Sequence, residues 1–66
     1  MTRDQISARI FLRRTEVGLT QKQLGERLGV SECSVWRWEN GDRIPTVPML
    51  HRLGVELDTT FVLGKS

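Results

Sequence analysis

The side chains best suited to directed chemistry fall in one short stretch. Between Glu32 and Glu39, the residues Glu32, Cys33, Trp36 and Arg37 take one side of a helical period, while Val35 and Trp38 take the other at i, i+3 spacing. A guanidinium such as Arg37 can bond two acceptors together, and a carboxylate such as Glu32 can only accept. Bond-making chemistry is not in prospect. His51 has no Ser, Cys or paired carboxylate nearby in sequence, and Gly64-Lys65-Ser66 has no strand or glycine-rich loop before it. One cysteine excludes an internal disulfide, and one Cys with one His cannot complete a structural zinc site. No catalytic residue, metal, cofactor or small-molecule ligand is therefore expected. What remains is recognition through hydrogen bonds, charge and apolar contact.

The elements that must position these residues form a helical corner. Gln21 to Leu28 reads as a first short helix, with Leu24 and Leu28 one turn apart on one face. Gly29 reaches positive φ at no steric cost, which a sharp helix exit needs. Val30 follows, and the Ser31 hydroxyl can cap the next helix, Glu32 to Glu39. Gly25 faces that second helix, where a larger residue would hold the two apart. Asn40-Gly41 stops it. This stretch, from 21 to 40, resembles the helix-turn-helix of the phage repressor and Cro-type family of DNA-binding proteins (lambda repressor-like, XRE-type). A Gln opens the first helix, a small residue stands fifth and Gly holds the turn. Apolar residues fill the four remaining core positions, and Trp38-Glu39-Asn40-Gly41 closes the motif. The resemblance extends from roughly Ile6 to Leu63.

That resemblance implies an all-α fold, a compact bundle of four to five short helices, whose second motif helix lies in the DNA major groove. Arg37 is then the leading candidate for base contact, since guanine O6 and N7 suit a guanidinium, with about 1–3 kcal/mol of discrimination. Cys33 either lays a small apolar surface on a thymine methyl or is a small residue that fits. Glu32 either accepts from cytosine N4 or complements the positive end of the helix dipole. Trp36 stands where a polar residue is usual, and either packs on sugar and thymine methyls or only shields the helix. Thr20, Gln21 and Lys22 at a helix N-terminus, with Asn40 and Arg43 after the second helix, are the expected phosphate contacts. Asp42 stands where a lysine is common, which implies weaker non-specific attraction. Arg14 is expected to pair with Glu39 and tie the preceding helix to the corner.

The partner implied is double-stranded DNA bearing a palindromic operator, bound by a homodimer with half-sites about 34 Å apart. The function implied is that of a transcriptional regulator, a Cro-like or prophage-type repressor. Two alternatives stay open: an antitoxin or restriction-modification controller of the same fold, and a protein-interaction module that does not bind DNA. Asp42, Glu32 and Trp36 favour the second.

Sixty-six residues leave room for one domain, expected over 1–66, and a DNA-binding fragment of a longer repressor would look the same. There is no eighteen-residue apolar run and no apolar core of a secretory signal at Met1-Thr2-Arg3-Asp4, so a reducing cytoplasm is the expected compartment. Net charge is +2 and the pI about 9.3, a level that suits a nucleic-acid partner. Arg9, Arg13, Arg14, Lys22, Arg37 and Arg43 all fall in or around the first three helices and the loop after them.

The flanking helices follow from caps and periodicity. Thr2 to Gln5 and Thr20 to Gln23 have the form of capping boxes. In the first helix, ended by Gly18, the expected core stripe is Ile6, Ile10 and Val17, with Phe11 lying over the C-terminal end of the chain and Leu12 without a role. Thr46 caps a fourth helix that tolerates Pro48 in its first turn. Val47, Leu50, Leu53, Gly54 and Leu57 share its inner face, with Gly54 a close-packing site and His51 outside. Asp58 or Thr59 is expected to cap a last short turn carrying Phe61, Val62 and Leu63, which closes the core or supplies a dimer contact.

Overall fold

The computed structural model describes residues 1–62 and holds four helices: α1 (Arg3–Val17), α2 (Gln21–Leu28), α3 (Glu32–Asn40) and α4 (Val47–Leu57). Each begins on a hydroxyl. Thr2, Thr20, Ser31 and Thr46 each accept a hydrogen bond from the backbone N–H three residues on, so one otherwise unpaired donor per helix is satisfied. At Thr2 and Thr20 the reciprocal bond is also made, the threonine N–H donating to Oε1 of Gln5 or Gln23 at 2.8 and 2.9 Å.

All four helices end alike. The N–H two residues past the helix returns to a carbonyl of its last turn: Leu19 to Arg14, Val30 to Gly25, Asp42 to Arg37 and Thr59 to Gly54, at 2.9–3.0 Å. This closure needs a left-handed residue. Gly29 supplies it at the corner with φ of 73°, and at the end of α4 the residue is Asp58, with φ of 52°. A short polar side chain tolerates that conformation better than most. Asp58 thus ends α4 and caps no further turn. No fifth helix follows among the described residues, and Leu63 lies outside them.

One core joins the helices: Ile6 and Ile10 from α1, Leu19, Leu24 and Leu28 around α2, Val35 and Trp38 from α3, and Leu50, Leu53 and Leu57 from α4. Leu19, in the connection between α1 and α2, is buried although no helical period marks it. Val17 and Val47, expected on inner faces, are instead exposed, at 41% and 55%. Both sit at helix ends, where the angle is right but no neighbouring helix reaches over them. Phe11 and Leu12 are half exposed, and the Arg14 guanidinium lies 5.4 Å from the Phe11 ring centroid. Phe61 is half buried against the core, whereas Val62 is exposed.

Two glycines are required by closeness. A Cβ on Gly25 would lie 2.7 Å from the Val30 carbonyl oxygen, and one on Gly54 would lie 2.8 Å from that of Thr59. Both obstacles are backbone and cannot swing away, so Gly25 sets how tightly the chain turns from α2 into α3.

Candidate nucleic-acid interface

The interface is built on α3. Its inner face is anchored by Val35, fully buried, and Trp38, 7% exposed, under α1 and α2. Because both anchors occupy one side, Glu32, Cys33, Trp36 and Arg37 are held outward, and all four are exposed, Trp36 by 47%. Among the described residues the Arg37 guanidinium makes no hydrogen bond or ion pair. The Arg37 carbonyl is occupied, since it accepts the Asp42 N–H that closes the helix. Glu32 lies in the first turn, where its charge complements the dipole.

Beneath α3 lies a polar clamp. Arg14 donates from Nε to Glu39 Oε2 at 2.5 Å and from Nη2 to Oε1 at 3.0 Å, and its Nη1 donates to the Leu19 carbonyl at 2.8 Å. The two side chains are 10% and 4% exposed. Gln21 joins them, its Nε2 donating to Glu39 Oε1 at 3.0 Å. Three elements therefore meet at one carboxylate: the end of α1, the first residue of α2 and the last turn of α3. Gln21 is half buried and turned toward Glu39, so one amide hydrogen is engaged inside the protein.

The other expected phosphate contacts are arranged around this clamp. Thr20 and Lys22 are exposed at the start of α2, and Thr20 Oγ1 accepts the Gln23 N–H. Asn40 is exposed at the end of α3, where its amide donates to the Trp36 carbonyl at 2.8 Å. Arg43 is exposed on the loop between α3 and α4. The Gln21–Glu39 bond thus brings the N-terminus of α2 beside the last turn of α3, from which the loop carrying Arg43 leads.

Two arginines counted with this basic group belong elsewhere. Arg9 donates to the Thr60 carbonyl at 2.9 Å, and Arg13 donates from Nε to the Leu57 carbonyl at 3.0 Å and pairs with Glu16. They hold the end of α4 and the segment after it against α1, a contact across 44 to 51 residues that no local pattern announces. Arg3 makes a similar long-range contact, its Nη2 meeting the Gly41 carbonyl at 3.4 Å, 38 residues away.

No group of three or more His, Cys, Asp or Glu side chains suited to a metal ion occurs among the described residues. No described helix is long and apolar enough to cross a membrane. The arrangement offers hydrogen-bond donors, cations and one indole on a convex, water-exposed helix.

Comparison with solved structures finds the same arrangement. The P22 c2 repressor, in complex with a synthetic operator, superposes with a TM-score of 0.79 at 29% identity, over 83% of each chain. HipB in complex with an O4 20-mer superposes with a TM-score of 0.76 at 20% identity, over all of this chain and 93% of that one, and HipB likewise recurs in a HipA-HipB-O2-O3 complex. At that identity HipB speaks for the fold alone. Comparison with curated proteins returned no match. The helix-turn-helix domain family matches residues 5–60, which take in α1 from its third residue, the other three helices and the polar clamp under α3, and the chain belongs to that family.

Proposed function

We infer that this chain binds double-stranded DNA and regulates transcription, with α3 in the major groove and the start of α2 and the loop after α3 along the phosphates. The observation that carries the reading is α3 itself: two anchors bury one side while Arg37, on the other, has no internal partner among the described residues. An exposed arginine without a partner on a rigid helix is what base-edge recognition requires. In this reading Arg37 reads guanine, Cys33 and Trp36 supply apolar contact to thymine methyl or sugar, and Glu32 either accepts from cytosine or only complements the dipole. Lys22, Arg43, Thr20, Asn40 and the remaining Gln21 donor set register on phosphates. Two copies on a palindromic operator, with repression by excluding polymerase, complete the proposal. The operator-bound P22 c2 repressor supports it by likeness.

A second reading rests on the apolar side chains outside this edge. Phe11 and Leu12 on α1 and Val55 on α4, the last 81% exposed, are surfaces a protein partner would cover, as in an antitoxin that binds both DNA and its toxin. Selection of bound sequences from random duplexes, repeated over a salt series, tests the proposal. An inverted repeat, with affinity falling steeply in salt, is expected. No duplex binding, or a flat salt response, would overturn it and leave a protein-interaction module.

A further inference from the structure

We propose that Arg3, the first residue of α1 and outside the helix-turn-helix, is a further phosphate-contacting residue of the DNA-binding edge. The proposal rests on the DNA-binding reading given above and extends it to a second element.

Three observations converge on Arg3. Its guanidinium lies at the head of the loop that follows α3, with Nη2 on the Gly41 carbonyl at 3.4 Å, two residues before Arg43. The loop's own charges cancel, because Asp42 and Arg43 stand side by side and no other charged residue lies between Gly41 and Thr46. A phosphate approaching this loop therefore meets net positive charge only if another element supplies it, and Arg3 is positioned to do so. Lastly, Arg3 is a cation in the first turn of a helix, where the dipole disfavours positive charge. The long, exposed bond to Gly41 is weak recompense for that placement. A residue set against its local preference, beside a surface that lacks its charge, is accounted for by an anionic ligand.

The geometry leaves Arg3 able to act. A guanidinium carries five N–H donors, and among the described residues one is engaged. The Gly41 bond holds the group near the loop while the rest of the fork faces water. Asp4, its neighbour in α1, is exposed and lowers the local field without closing an ion pair on Arg3 among the described residues. Contact at Arg3 would strengthen binding to every duplex alike, since phosphates carry no sequence information.

The test compares wild type, Arg3→Gln and Arg3→Lys for binding to a 20-mer duplex of scrambled sequence over a salt series, with thermal melts of each. The expected result is that Arg3→Gln binds more weakly and its log K against log salt slope flattens by about one unit, while Arg3→Lys keeps the wild-type slope and neither variant melts below wild type. An unchanged slope in Arg3→Gln overturns the role of Arg3 even if affinity falls, because a merely structural contact would not alter ion release. A wild-type chain that shows no salt-dependent binding removes the DNA-binding reading itself, and the Arg3 proposal with it.

Discussion

Arg14 and Glu39 meet edge to edge, 25 residues apart in sequence, with two arginine N–H groups on the two carboxylate oxygens at 2.5 and 3.0 Å. The pair is largely withdrawn from water, and Gln21 adds a third bond to the same carboxylate. The Glu39 carboxylate thus joins α1 through the ion pair and α2 through the Gln21 amide to the last turn of α3.

Removing either partner should destabilise the protein strongly. In Arg14→Met or Glu39→Gln the other group keeps its burial and loses its counter-charge, which costs on the order of 3 kcal/mol. Thermal and urea melts measure this. The double variant Arg14→Met with Glu39→Leu should recover much of the loss, because replacing both charges leaves none unpaired. Negligible shifts in both single variants would refute a pair that ties the helices together.

Gly25→Ala should lower stability, against the usual preference of helices for alanine. The propensity gain is at most about 1 kcal/mol. Against it, the new methyl carbon would lie 2.7 Å from the Val30 carbonyl oxygen, whose N–H already closes the turn on Gly25. Relieving that contact must move α3 relative to α2, and overpacking of this kind costs about 1–3 kcal/mol. A melting temperature equal to or above wild type would show that the corner yields more easily than its geometry indicates.

Local sequence specifies part of this fold and distant contacts the rest. The bounds of α2 and the caps at Thr2, Thr20, Ser31 and Thr46 follow from neighbours within four residues, so spacing alone reaches them. The pairing of Arg14 with Glu39 came only through resemblance, because no local rule links residues 25 apart. Where spacing failed, the deciding contact was distant. Val17 and Val47 hold the correct helical angle, but no element covers them. Arg9 and Arg13 look in sequence like part of the same positive field as Arg37, yet their reach to carbonyls at and beyond the end of α4 removes them from it. Asp is a common helix opener, which is why Asp58 or Thr59 reads as a cap, but here the chain uses the tolerance of Asp58 for positive φ to end a helix.

Ser7→Ala should be neutral to stabilising. Ser7 is buried in α1, and its Oγ has no hydrogen-bond partner among the described residues, although a helical serine often bonds the carbonyl four residues back. Alanine removes the unsatisfied hydroxyl and raises helix propensity, for a gain of up to about 1 kcal/mol. A urea midpoint clearly below wild type would mean that the hydroxyl has a partner after all, the nearby turn at Gly41 being the first place to look.

The division of labour proposed above for DNA binding is tested by Arg37→Ala against Arg43→Ala. Arg37 projects from the face of α3 held outward by Val35 and Trp38, so its loss should relax preference at one base-pair position, by about 1–3 kcal/mol, with little change elsewhere in the site. Arg43 stands on the exposed loop beyond the end of α3. Its loss should weaken all sequences equally and flatten the salt slope by about one unit. Sequence selection gives the first readout and a salt series on a scrambled duplex the second. If both variants weakened every sequence alike, Arg37 would be a phosphate contact, and base readout would fall to Cys33, Trp36 and Glu32, the remaining exposed residues of that face.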